Sequence, residues 1–108
     1  MVEQSIEQSV KRYLRAVRQA DINSRRAILY GSRARGSAGK DSDLDLIVIA
    51  PEFDLAPDRR LIERLWQLRA HTDSRIEPVA CGEVEWTASI TARAVIEIAH
   101  REGIEIAA

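Results

Sequence analysis

The spacing of apolar and polar positions divides the chain into alternating helices and strands. Between residues 3 and 20, apolar residues recur at intervals of three and four among Glu, Gln, Lys and Arg. This period predicts an amphipathic helix, with its buried side at Ile6, Val10, Leu14 and Val17. After a loop at 21–24, the run RRAILYG predicts a short strand that ends at Gly31, and DLDLIVIA predicts a second strand over 43–50.

The second strand is largely apolar, but acidic residues stand at its beginning. Beyond residue 45 both alternating sets of side chains are apolar, so we expect this strand to be covered on both sides. Asp43 and Asp45 share one face where the strand begins. Burying a carboxylate without a partner is costly. Either the preceding segment is an awkward turn, or something bound there needs both charges.

The third apolar segment predicts a helix followed by a strand. Pro57 suits a helix's first turn, where its missing N–H is no loss, and the apolar stripe continues to about His71 with Trp66 in the core. A strand follows over 74–81. Because Pro78 cannot donate to a sheet ladder, we expect this strand at a sheet edge, or paired on one side only at that point.

A last helix is expected from about Ser89 to His100, and Gly103 is a suitable stop for it. Its inward positions are predicted to be Ile90, Ala94, Val95 and Ile98. The final letters IEIA are a candidate terminal strand. The order of elements predicts a single α/β (α+β) domain over residues 1–108, a small mixed β-sheet with flanking helices.

The composition argues against several functional classes. A formal net charge of −1 argues against sequence-independent DNA binding, and 5% aromatic residues argue against a stacking platform for single strands. Cys81 is the only cysteine, which excludes a disulfide framework and a cysteine-based zinc site and fits a reducing compartment. No segment approaches the length of an apolar membrane span. We therefore expect a cytoplasmic protein.

The loop between the first two strands is rich in glycine but matches neither common phosphate-binding pattern. Gly31 and Gly36 have the spacing of a Walker loop, but Ser37 stands where lysine is required. Glycines at 31, 36 and 39 do not form the dinucleotide pattern either, and a strand follows the loop. What remains is Gly31-Ser32, ten residues, and then Asp43-Leu44-Asp45.

This pattern, written GSRARG…DSDLDL in the sequence, resembles the nucleotidyltransferase superfamily typified by DNA polymerase beta. It looks most like the minimal nucleotidyltransferases of prokaryotes, the MNT domains that pair with HEPN-domain partners. The resemblance covers most of the chain. It implies a polymerase beta-like fold and a Mg²⁺-dependent enzyme, with two metal ions, that transfers AMP from ATP to a hydroxyl group.

The resemblance also implies a role for each site residue. Asp43 and Asp45 would hold the metals, since side chains two apart on a strand point the same way and Mg²⁺ prefers carboxylate and phosphate oxygens. Gly31 and Ser32 would contact the β- and γ-phosphates. Glu77, on the later strand, would be the third catalytic and metal-binding acid, at a position where many members of the family have aspartate.

Basic residues of the loop complete the predicted site. Arg33, Arg35 and Lys40 lie beside the glycines, and Arg33 is the first candidate for phosphate contact because it adjoins Ser32.

The resemblance suggests that the acceptor is a tyrosine of a HEPN-domain toxin, with this chain as its antitoxin, and no long nucleic acid is expected to bind directly. Two alternatives remain open. One is a non-catalytic module that neutralises its partner by contact alone. The other is an enzyme that modifies a small molecule.

Overall fold

The described part of the chain forms helices on both sides of one sheet. The computed structural model describes residues 2–39, 42–55, 58–88 and 93–108. Its helices are α1 (Gln4–Gln19), α2 (Ser32–Arg35), α3 (Arg59–Arg69), α4 (Glu83–Thr87) and α5 (Ala94–Glu102), with a 3₁₀ turn at Pro51–Asp54. Its strands are β1 (Arg26–Tyr30), β2 (Leu44–Ile49), β3 (Ile76–Cys81) and β4 (Ile104–Ala107).

The sheet is mixed, and its strand order is β3-β2-β1-β4. β1 pairs antiparallel with β2 and with β4, whereas β2 and β3 are parallel. The predicted mixed sheet and the terminal strand are therefore confirmed. β3 lies at an edge, as Pro78 indicated, so the missing N–H of that residue does not interrupt a central ladder.

Two apolar clusters cover the two faces of the sheet. The first joins the buried side of α1 to Leu65 of α3 and to alternate residues of β2, among them Leu46. The second joins the other residues of β2, among them Ile47, to Trp86 of α4 and Ile96 of α5. The expectation that β2 is covered on both sides is confirmed, and Asp45 is the only residue of this strand that is not fully buried.

The N-terminal helix is anchored by its apolar side and by one buried hydroxyl. The four predicted positions from Ile6 to Val17 are buried. Tyr13 is buried beside them, and its hydroxyl donates a hydrogen bond of 2.6 Å to the backbone oxygen of Leu65, which ties α1 to α3. Burial raises the pKa of the Tyr13 phenol above its ordinary value, so the group stays a neutral donor.

The prediction that Trp66 belongs to the core is wrong. Its side chain is 42% exposed, whereas Leu65 is fully buried. Successive helical residues point about 100° apart, so the face that places Leu65 against the sheet turns Trp66 outward. The guanidinium of Arg69 lies 4.8 Å from the Trp66 ring centre and covers part of it. Pro57 lies outside the described residues, and Asp58 caps α3 by accepting from the Arg60 N–H.

The last helix is also rotated relative to the predicted inward face. Ile96 and Ala99 are its buried residues, whereas Ala94 is exposed. Ile90 and the predicted start at Ser89 lie outside the described residues. Gly103 ends α5, as predicted. In the described ranges no helix has the length and hydropathy that crossing a membrane requires.

The loop before β3 is held by one carboxylate. Both oxygens of Asp73 accept from the Arg75 guanidinium, at 3.0 and 2.6 Å, and Oδ1 also accepts from the Arg75 backbone N–H at 3.0 Å. These hydrogen bonds favour the charged form, so the pKa of Asp73 is lowered to about 2.

Asp73→Asn is expected to destabilise the protein by about 1–2 kcal/mol at neutral pH, because the charged carboxylate and its bonds to Arg75 are lost. A lowered pKa means that the stabilisation is fully present above the ordinary value of 3.8 and disappears as the pH falls towards about 2. Urea unfolding of both proteins at neutral and at acidic pH measures this. An equal difference at both pH values would contradict the assignment to the carboxylate charge.

Candidate active site

Three polar side chains stand in one row across the sheet. Tyr30 at the end of β1 is paired with Asp45 on β2, and Asp45 is paired with Glu77 on the parallel strand β3. Side chains of directly paired residues project from the same face of a sheet. That face is the one covered by α5, because Ile47 follows Asp45 on the same side and belongs to the α5 cluster. Asp43 lies just before β2 and is exposed.

Asp45 and Glu77 have carboxylates whose charge is disfavoured by desolvation and by neighbouring acids. The pKa of Asp45 is raised, first by partial burial and then by the negative charge of Asp43, while Arg35 opposes the shift. The pKa of Glu77 is raised by desolvation and then by Asp43 and Asp45. Negative charges gathered in this way are stabilised by a bound cation. The electrostatics of the row therefore fit a divalent metal ion.

The protein side chains alone do not complete a metal site. Within the described ranges, no three His, Cys, Asp or Glu side chains are placed so that they could hold a metal ion together. The donors at the row are hard carboxylate oxygens, which suit Mg²⁺, and Mg²⁺ is usually bound by one or two carboxylates together with water and substrate phosphate. Asp43 and Asp45 therefore fit this ion if a substrate supplies further oxygens.

The glycine turn lies directly against Asp45. Gly31 has φ of +75°, in the region that favours glycine. A Cβ at this position would lie 2.5 Å from Oδ2 of Asp45. Ser32 follows at the start of α2, a single helical turn that ends at Gly36 in the left-handed conformation. The sequence predicted only a turn-rich segment here. The structure shows a single helical turn, and the residue before it, Gly31, lies against Asp45.

The two described arginines of the loop lie in different surroundings. Arg33 donates to the backbone oxygen of Ser42 at 2.9 Å and lines a pocket with Ile6 and Leu29, two residues of the α1-side core. This placement is on the α1 side of the sheet, and phosphate contact by Arg33 stays a prediction. Arg35 instead lies close enough to Asp45 to lower its pKa. Lys40 lies outside the described residues.

Sequence reasoning missed two residues of this site, Glu102 and Tyr30. Glu102, the last residue of α5, accepts from the Gly31 N–H at 3.3 Å and from Arg35 Nη1 at 2.9 Å through the same oxygen. Tyr30 adjoins Asp45, and burial together with the charges of Asp45 and Glu77 raises the pKa of its phenol to about 12. Tyr30 thus keeps its proton at neutral pH and offers a hydroxyl group to the site. Only the fold brings Glu102 to the glycine turn, whereas Tyr30 directly precedes Gly31 in the sequence and is brought beside Asp45 by strand pairing.

The fold and the site define a class of protein. A mixed sheet in which a glycine turn lies against one of two paired strand acids is an arrangement that can hold a triphosphate and its metal ions. Residues 10–92 match the family model of a nucleotidyltransferase domain, and this range includes Gly31, Ser32 and the three acids. The chain therefore belongs to the nucleotidyltransferase domain family.

Comparison with solved structures shows that this chain has a known fold. No curated protein sequence gives a significant match. Among solved structures, a crystal structure of the toxin-antitoxin with AMP-PNP is similar to this chain, with a TM-score of 0.62 and 21% sequence identity. The likeness covers 93% of this chain and 71% of that one. At this identity it concerns the fold.

Proposed function

We propose that the chain transfers AMP from ATP, with Mg²⁺, to a tyrosine hydroxyl of a HEPN-domain toxin and thereby acts as its antitoxin. The observation that carries the proposal is the contact between the Gly31 turn and Asp45, in a row that also holds Glu77. Membership of the nucleotidyltransferase domain family supports the reaction type. The similar fold in a toxin-antitoxin structure containing AMP-PNP, an ATP analogue, supports the nucleotide and the kind of partner.

In this proposal each side chain has a defined task. Gly31 and Ser32 contact the β- and γ-phosphates, because the absence of a Cβ at Gly31 lets the backbone approach closely. Asp43 and Asp45 hold Mg²⁺, and Glu77 completes the site on the side of the acceptor. Bound Mg²⁺ would neutralise phosphate charge and stabilise the attacking and leaving oxygens. The acceptor hydroxyl attacks the α-phosphorus, and pyrophosphate leaves.

The first experiment identifies the acceptor. The protein is incubated in host lysate with Mg²⁺ and α-phosphate-labelled ATP, beside a variant with asparagine at both Asp43 and Asp45. We expect one labelled protein band with the unsubstituted chain and none with the variant. Label of equal intensity with both proteins would contradict transfer by this site.

The alternative function is neutralisation by contact alone. The side chains do not form a complete metal site on their own within the described ranges, which is the observation that keeps this alternative in view. The same double variant separates the two functions once the partner is identified. Full neutralisation of the toxin by the variant would show that catalysis is dispensable, whereas lost neutralisation with retained binding would support the enzymatic account.

A further inference from the structure

One carboxylate already occupies donors at the glycine turn. Oε1 of Glu102 accepts from the Gly31 N–H and from the Arg35 guanidinium, and the Glu102 side chain is only 23% exposed. Arg35 also lies within electrostatic reach of Asp45. The Gly31 N–H and the Arg35 guanidinium therefore both donate to a carboxylate of the chain itself.

The fold holds Glu102 firmly in this position. The helix before it is packed on the sheet through Ile96 and Ala99, and the strand after it pairs antiparallel with β1, with Ile104 opposite Leu29. Between them Gly103 passes close to Ile28, where a side chain would not fit. Because both neighbouring elements are anchored to β1, the backbone of Glu102 is held beside the turn that follows this strand, within reach of its carboxylate.

We propose that Glu102 is a positioning residue, whose carboxylate holds the Gly31 N–H and Arg35 until the phosphates of the incoming nucleotide replace it. The inference rests on the proposed function, since it assigns the phosphates to this turn. A carboxylate and a phosphate compete for the same donors, and two anions beside one another repel. Glu102 thus orders the Gly31 turn before the nucleotide binds, and its negative charge weakens nucleotide binding.

The charge of Glu102 is the property to test. Glu102→Gln keeps an oxygen that can accept from Gly31 and Arg35, but it removes the negative charge. The probe is an ATP analogue with a methylene bridge between the α- and β-phosphates, which binds without transfer, and its affinity is measured by calorimetry in the presence of Mg²⁺. Glu97→Gln, an equal charge change at an exposed position of the same helix, is the control.

We expect Glu102→Gln to bind the analogue about fivefold more tightly at low salt, with a smaller gain at high salt, and Glu97→Gln to change affinity less than about twofold. In an Arg35→Gln background the gain should shrink, because the donor for which carboxylate and phosphate compete is gone. A purely structural role would only weaken binding and lower the melting temperature.

Unchanged or weaker binding by a folded Glu102→Gln protein would overturn this inference and leave the proposed function standing. If the unsubstituted chain does not bind the analogue at all, the proposed function and the inference fall together. Whether the unsubstituted protein binds the analogue therefore tells the two failures apart.

Discussion

Asp45→Asn is expected to abolish nucleotidyl transfer, by about a thousandfold or more, and to raise the melting temperature of the protein. The loss follows from the position of Asp45 between the Gly31 turn and Glu77, where its carboxylate would hold Mg²⁺ against the phosphates. The gain follows from the raised pKa of Asp45. A carboxylate whose charge is disfavoured by burial and by Asp43 opposes folding in the metal-free protein.

The pH dependence of the stability separates this explanation from a general effect of the substitution. A raised pKa means that the cost of the Asp45 charge is fully present above the folded-state pKa and disappears as the pH falls to the ordinary value of 3.8. The stability gain of Asp45→Asn should therefore be present at neutral pH and vanish in acid. Asp73→Asn is the matched control of opposite sign, because the pKa of Asp73 is lowered. A destabilised Asp45→Asn protein in metal-free buffer would show that the Asp45 charge does not oppose folding.

Gly31→Ala is expected to reduce transfer by about a hundredfold, because its methyl group would lie against Oδ2 of Asp45 and displace the carboxylate. Gly36→Ala is the control for a substitution at positive φ without that contact. Gly36 is in the left-handed helical region, with φ of 77° and ψ of 13°, where alanine costs about 1–2 kcal/mol. Gly31 has φ of 75° and ψ of −151°, a region that essentially only glycine adopts, where the cost is about 1–3 kcal/mol. Among the residues that the structure describes, nothing lies within 4 Å of a Cβ at Gly36. We therefore expect Gly36→Ala to lose stability without losing activity.

Because alanine is more strained at position 31 than at position 36, the activities of the two variants are compared together with their stabilities. Denaturant unfolding measures the stability of each variant, and the rate of label transfer measures its activity. Equal activity in both variants would show that close approach of the turn to Asp45 is not required for transfer. Equal loss of activity in both would show that backbone strain, rather than the displaced carboxylate, disturbs the site.

The pattern of apolar residues correctly predicted the elements in which buried positions recur with the period of the helix or strand itself. The apolar period of α1 placed Ile6 and Val17 correctly, and the doubly apolar run of β2 predicted a strand covered on both sides. The spacing of Gly31 and Asp45 indicated that turn and acids belong to one site, because a short connection between two antiparallel neighbours returns the chain to the same end of the sheet.

The remaining features depend on contacts between distant parts of the sequence. Trp66 has an apolar side chain within an apolar stripe, and only the position of the sheet decides that Leu65 is buried in its place. Glu102 looks like an ordinary helix-end residue in the sequence, and its role at Gly31 arises from the pairing of β4 with β1. The register of β3 against β2 similarly brings Glu77 beside Asp45.

Nucleotidyl transfer and phosphoryl transfer from ATP differ in which phosphorus atom reaches the acceptor. We would compare ATP labelled at the α-phosphate with ATP labelled at the γ-phosphate, in otherwise identical reactions with Mg²⁺ and the acceptor. We expect α-label to enter the acceptor and γ-label to be released with pyrophosphate. Transfer of γ-label would show phosphoryl transfer instead, and label from neither position in a reaction that contains the acceptor would contradict catalysis by this chain.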